Sequence, residues 1–326
     1  VSVGNTAVLS VGIVSAYQLY GDGSNLTNLP GGGAWKCIAT KNFVTDNTCS
    51  GCNFSGAEGN IIAGECAGQA VTGGDENVFI GRYTGRCTTT GLCNVFIGHC
   101  AGKTVTNHGE SIFIGSIAGG MATGNVSTSI FIGKLAGCEV SDGNNQIVMG
   151  LNAGGKISAD SAIVIGTNAG RCIAGSDNIA IGCYAGQGAS SGQTGTHNTF
   201  IGRYAGFSFS SGNSNVAMGC KALTSITTGS HNVSFGTMAM GDGTVTGSNN
   251  FIGGYKAGNK ITSAGHNVFM GTNAGCCVTT GSENIAIGKD SMSAATHTGE
   301  NNIALGQYAG SALTSGGHNI FIGRQA

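Results

Sequence analysis

Asn94-Val95-Phe96-Ile97-Gly98-His99-Cys100-Ala101-Gly102 is one copy of a phrase that recurs sixteen times along the 326 residues and decides the fold. Other copies open Asn77-Val78-Phe79-Ile80-Gly81 and Asn267-Val268-Phe269-Met270-Gly271, and the last opens Asn319-Ile320-Phe321-Ile322-Gly323. The closing glycines fall at 64, 81, 98, 115, 133, 150, 166, 182, 202, 219, 236, 253, 271, 288, 306 and 323, spaced by 16 to 20 residues and usually by 17. So short a period, with no helical pattern inside it, predicts an all-β chain wound one coil per phrase: a parallel β-roll or β-solenoid of about 16 coils.

The closing glycine serves as position 0. Position −3 is Ile or Val in fourteen of sixteen copies, with Thr199 and Asn250 as exceptions, and position −1 is apolar from Ala63 to Ile322. In a strand those two side chains share a face and the residue between them points the other way. That middle residue is Phe in half the copies: Phe79, Phe96, Phe113, Phe131, Phe200, Phe251, Phe269 and Phe321. After the glycine come two variable residues, Ala at +3 and usually Gly at +4, which makes a turn with little room. An apolar residue at +7 (Val71, Val105, Val140, Ile157, Ile173, Ile226, Val278, Leu313) followed by Ser or Thr at +8 predicts a second short strand. Each coil is then two strands and two turns, and coils stacked at about 4.8 Å build two parallel sheets.

A thin core filled from −3, −1 and +7 leaves the Phe column facing outward. A long exposed Phe stripe would be an aggregation surface, so the expectation is a homotrimer with this column lining the interface. Asn recurs at −4: Asn60, Asn77, Asn94, Asn178, Asn198, Asn215, Asn232, Asn267, Asn284, Asn302 and Asn319. Stacked in register, these amides can bond along the rod as a ladder, a structural role. The variable +1 and +2 positions carry Arg82, Tyr83, Arg203, Tyr204 and Tyr308 among others. Basic and aromatic groups repeated along one edge suit weak, multivalent contact with a host-surface polysaccharide or protein.

Sixty-one glycines, one proline and 9 % charged residues fit tight repeated turns. The net charge of −1 gives no reason to expect nucleic acid as a partner. No apolar run approaches the roughly 18 residues that span a bilayer, so no membrane insertion is expected. Thirteen cysteines are an odd number, and they scatter over the period. The Cys49-Ser-Gly-Cys52 pair, with only Cys37 and Cys66 near it, lacks the matching second pair of a zinc site. The cysteines therefore read as small free fillers, in keeping with assembly in a reducing cytoplasm.

No acidic pair recurs in adjacent coils as a glycosidase couple would need. His197, His231, His266 and His318 share position −5, but Ser214, Ser248 and Glu283 interrupt them, so they read as polar turn residues. There is no phosphate loop, no Gly-x-Ser-x-Gly and no aspartate-rich calcium repeat. The expectation is no catalytic residue, no metal, no cofactor and no enzymatic activity. The +8 Ser/Thr rank raises ice binding as a further class, but its +6 partner is Ala70, Cys87 or Met121, so a second rank is missing.

The copies Asn178-Ile179-Ala180-Ile181-Gly182, Asn284-Ile285-Ala286-Ile287-Gly288 and Asn302-Ile303-Ala304-Leu305-Gly306 resemble the repeats in the head domains of YadA-type trimeric autotransporter adhesins. The resemblance covers roughly residues 60 to 326 and implies a left-handed roll and a homotrimer. The coils here are longer, and Phe often stands where that family favours Ala. At the other end, Val11-Gly12-Ile13-Val14-Ser15-Ala16 and Gly21-Asp22-Gly23-Ser24-Asn25-Leu26-Thr27-Asn28-Leu29 look like connector segments of bacteriophage tail fibres. The chain thus divides into a connector with a Gly-rich hinge (1–33), a Cys-rich cap or lead-in (34–59) and a repeat domain (60–326) expected to continue beyond Ala326. Taken together, these resemblances imply a structural fibre protein of a bacteriophage tail fibre or similar appendage, serving as rod or host-surface adhesin. Its place would be the virion or a cell surface, with assembly in the host cytoplasm in the phage case. The alternative is the head of a bacterial cell-surface trimeric adhesin.

Overall fold

The computed structural model describes residues 35–38, 41–45, 50, 54–123, 126–188, 193–294 and 296–326. The connector 1–33, Cys49 and Cys52 lie outside these residues. Strand β1 (Trp35–Ile38) pairs antiparallel with β2 (Asn42–Thr45), and β2 pairs parallel with β3 (Ile61–Ala63). From β3 to β18 (Ile320–Ile322), every coil contributes one three-residue strand that pairs in parallel register with the coil before and the coil after. The described residues form a parallel β-solenoid with about sixteen repeat turns and no helix. Stacking begins inside the 34–59 lead-in, since Asn42 and Val44 of β2 already occupy buried ladder and core positions.

One sheet forms where two were expected. The +7 flank shows only isolated bridges, Ile173 with Gln193, Ile226 with Val245 and Val278 with His297. Backbone bonds such as Thr72 N–H to Thr89 O (3.0 Å) and Thr89 N–H to Thr106 O (2.8 Å) still join the coils there. The extended stretch is too short for a regular strand. It lies between a left-handed residue at +4 and a return loop that absorbs the varying coil length. The +8 hydroxyls of Thr72 and Thr89 donate to carbonyls of the next coil, both at 3.3 Å, and so belong to the stacking.

The Phe column faces inward, which corrects the outward reading. Phe79, Phe96, Phe113, Phe131, Phe200 and Phe269 are fully buried within the chain's own coils. Phe96, Phe113 and Phe131 stack at centroid distances of 4.6 and 4.7 Å, nearly parallel. Core contact comes from −2, +3 and +7, while −3 and −1 point out. The physical reason is volume. The +3 and +4 positions are usually Ala and Gly, so the coil cross-section has a gap that one ring fills. A Cβ placed on Gly102 would lie 2.6 Å from two ring atoms of Phe96. In three of the five copies with a small −2 residue, +4 is large: Ala217 goes with Leu223, Ser234 with Met240 and Ala286 with Met292, and all three large partners are buried. Beside Ala180 and Ala304, +4 stays Gly and the ring of the next coil, Phe200 or Phe321, lies against it. Phe321, in the last coil, is only partly buried.

Phe251 needs a second correction, one of register. Its strand, β14 (Phe251–Gly253), pairs with Val233–Phe235 and Val268–Met270 so that Gly254, and not Gly253, closes the coil. Phe251 therefore sits at −3 and is 40 % exposed, while Ile252 fills the core position at 0 %. The same shift brings Asn250 into the amide column.

That column is buried and continuous over long runs. Asn77 illustrates the unit: its N–H and its Nδ2 both donate to Asn60 Oδ1, at 2.9 and 3.0 Å, and Nδ2 also donates to Gly91 O at 2.8 Å. Asn215, Asn232, Asn250 and Asn267 repeat the pattern, while Asn198 keeps its N–H bond to Asn178 Oδ1 and its Nδ2 bond to Gly212 O. Between Asn94 and Asn178 the column is Ser111, Ser129, Gln146 and Ala162, where hydroxyls accept in place of amides and Ala162 has no group to offer. We expect Asn215→Ala to cost about 1–3 kcal/mol, because it strands the Asn232 amide and the Gly229 carbonyl in a buried column. Asn25→Ala, in the connector, serves as the reference. Chemical denaturation followed by circular dichroism measures both, and equal losses would mean that the column is not structural.

A second ladder, which no repeated residue type marks in the sequence, runs along −6 in the opposite sense. Here a backbone N–H donates to a side chain of the next coil: Ser127 to Asn144 Oδ1 (2.9 Å), Asn144 to Asp160 Oδ1 (2.7 Å), Asn213 to Ser230 Oγ (3.0 Å) and Ser230 to Ser248 Oγ (2.9 Å).

Candidate functional site

Two surfaces stand out from the polar turns. The first is the outer face of the sheet, where −3 and −1 project as two adjoining columns, mostly Ile, Val, Met and Leu, without a charged residue. Ile80, Met149, Met218, Met270 and Ile287 are each 36 to 43 % exposed, and most of the other members are half-buried against their neighbours. Sixteen strands at about 4.8 Å make this strip on the order of 70 Å long. It is the Ile and Val pair of each phrase, rather than its Phe, that lies open to a partner. Two rings do stand on the strip, Phe235 and Phe251, and they meet edge to face at 6.2 Å.

The second surface is the corner after the closing glycine. Residues at +2 have left-handed backbones in every coil, for example Tyr83 (φ 58°), Tyr204 (φ 59°) and Tyr308 (φ 60°). Their N–H groups donate back to the preceding coil, as in Tyr83 to Glu65 O at 2.9 Å. Arg82 sits 4.5 Å from the Tyr83 ring centroid and donates from Nε to Glu65 Oε2 at 2.9 Å. Arg86 and Lys103 approach the same ring at 5.4 and 5.9 Å. Arg203 lies 4.9 Å from the Tyr204 ring, in a separate cluster several coils along the rod. Tyr308 is half-buried in a third coil. The structure therefore groups Arg82 with Tyr83 and Arg203 with Tyr204, but does not bring the five residues into one site.

The −5 column also takes a left-handed backbone throughout, including His197, His231, His266 and His318. His197 meets Asp177 across one coil at 3.5 Å and His266 meets Asn249 at 3.3 Å, so two of these residues form turn contacts. Among the described residues no three His, Cys, Asp or Glu side chains converge. Cys87, Cys93, Cys100, Cys138, Cys172, Cys183, Cys220, Cys276 and Cys277 are free thiols. Burial and the neighbouring Cys277 sulfur, 3.2 Å away, push the Cys276 thiol up to about 12, which keeps it protonated and unreactive as a nucleophile. No described helix is long and apolar enough to cross a membrane.

His297 is the anomaly of the core. It takes the place that Val278 holds in the coil before, is fully buried, and has no partner on either ring nitrogen. Burial lowers its pKa. The unfolded chain then binds the proton more readily than the fold does. The stability linked to His297 is therefore intact above the unfolded value of about 6.5 and is lost as pH falls below it. We expect His297→Val to raise stability by about 1–3 kcal/mol at neutral pH, by removing unpaired buried nitrogens. Its margin over the parent should widen between pH 7 and 5 in urea titrations. A margin that stays flat with pH would show that this imidazole does not titrate with unfolding.

Compared with protein-family models, curated proteins and solved structures, the chain matches none.

Proposed function

We propose that the chain is a non-enzymatic fibre segment that assembles as a homotrimer along the outer sheet face. It would act as rod and host-surface adhesin of a bacteriophage tail fibre or similar appendage. The observation that carries this reading is the long, uncharged strip of −3 and −1 side chains, apolar but for Thr199 and Gly253 and far longer than the scattered apolar patches of a soluble monomer. A further copy of the chain fits it, because each copy presents the same uncharged strip at the same coil rise, so copies lie parallel with every step matched. The phage setting is supported by the connector-like segments at Val11–Ala16 and Gly21–Leu29, and the three-fold arrangement by the resemblance to YadA-type heads. The bacterial adhesin head is the second reading, favoured by the Ala-containing phrases at Ala180, Ala286 and Ala304, which are buried at −2.

Sedimentation equilibrium on the full chain is the test. The mass should be three times that of the 32.3 kDa chain. Ile97→Lys, Ile114→Lys and Ile132→Lys introduced together should yield folded monomers, because three cations per copy cannot be desolvated against one another. A monomeric parent protein would overturn the proposal.

A further inference from the structure

We infer that Tyr184, Tyr204, Phe207 and Arg203 form a binding site for an acidic polysaccharide. The inference rests on the surface-adhesin reading and names its ligand class. Tyr184 and Tyr204, from consecutive coils, stack at 5.1 Å and 8°, and Phe207 stands edge-on to both at 6.2 and 5.2 Å. All three rings are half-exposed, in a chain with only 6 % aromatic residues.

The repeat supplies its own comparison. Phe207 stands at +5, where other coils place Gln69, Arg86, Lys103, Gln187, Thr224 or Asn259. The core does not require this ring, because Phe200 and Phe209 already fill that coil, fully buried with centroids 5.0 Å apart. Nor does the turn require Tyr at +2, since Asn152, Asn168 and Asn273 adopt the same left-handed backbone there. Three rings that neither core nor turn demands make a flat apolar platform, fixed in direction by the stacked backbone.

Its charge is one-sided. Arg203, Lys221 and Arg171 are exposed on the same corner, and Lys221 N–H donates to Arg203 O at 2.9 Å, which makes those two direct neighbours. From Thr167 to Lys221, positions +1, +2 and +5 hold no acid. A sugar ring lays its C–H face on an aromatic ring, while a carboxylate or phosphate on the same chain meets the guanidinium, for which a planar bidentate geometry is available. A single-stranded nucleic acid also stacks on aromatic rings, but it needs a basic groove that follows its backbone. Three cations on a chain of net charge −1 do not provide one.

Affinity electrophoresis of the full chain through gels containing polygalacturonate tests the proposal, with dextran as the neutral polymer and a labelled oligothymidylate as competitor. Polygalacturonate should retard the parent protein. The variant Tyr204→Asn with Phe207→Ser, which borrows polar residue types tolerated in other turns, should weaken retardation on the order of tenfold. Arg203→Ala should weaken it several-fold, and Ser141→Ala, exposed on the +8 flank away from both surfaces, should leave it unchanged. Sedimentation of the same samples reports assembly independently, so a lost site and a lost trimer are told apart. Absent retardation overturns the inference, as do retardation by dextran alone, retardation that survives the double variant, and displacement by oligothymidylate at lower concentration than by oligogalacturonate.

Discussion

Phe96→Ala should cost about 3–5 kcal/mol, as expected for removing a buried ring from a packed interior. Gly102→Leu should also be severely destabilising, since even its Cβ would stand 2.6 Å from the Phe96 ring. Introduced together, the two changes should recover much of the loss, with a coupling of about 2 kcal/mol or more. The reason is already in the chain. Ala217 with Leu223 fills the same volume, and Leu223 accepts the left-handed backbone at φ 49°. Urea midpoints of the parent, the two single variants and the double variant give the coupling. A value near zero would mean that −2 and +4 do not share one space, and would reopen the outward reading of the Phe column.

Gly254→Ala should be among the most damaging single-methyl changes, on the order of 3 kcal/mol. The backbone there has φ 130°, and the new Cβ would lie 2.5 Å from the Gly271 carbonyl oxygen, an atom held by the next coil. At its neighbour Gly253, a Cβ would meet nothing within 4 Å, and the residue stands in the −1 column, which is otherwise apolar. Gly253→Ile should therefore leave stability unchanged or raise it by about 0.5–1 kcal/mol, because glycine weakens a strand. Thermal melts of the two variants decide the register. If the penalties were reversed, the coil would close on Gly253 and Phe251 would return to the core.

The period, the coil count and the polar identity of the Asn column were legible because each repeats one residue type at one place. The direction of the strand was not. A three-residue strand with apolar residues on both faces carries no alternation from which to choose an inside, and a core judged thin sent the large Phe ring outward. The deciding signal lay elsewhere in the phrase, in the exchange of Phe and Gly for Ala and Leu or Ser and Met between −2 and +4. The closing glycine was ambiguous only at Gly253-Gly254, and Asn250, read as an exception at −3, was the mark of the true register. The −6 ladder was hidden because Asp, Asn, Ser and Thr all serve at its positions, so no single letter repeats. The Tyr184, Tyr204 and Phe207 cluster escaped because an aromatic stands at +5 in this one coil only, so no column marks it, and only the structure shows the core complete without it.

Strand pairing that involves only the preceding and the following coil has a genetic consequence. Excising one whole phrase within the Asn198–Asn319 run leaves two cut surfaces that already match, since each coil there offers an amide above and below. Unequal crossing-over within this gene would thus yield rods longer or shorter by whole steps of about 4.8 Å, each with its interior intact, which lets reach vary between lineages without a new fold being invented.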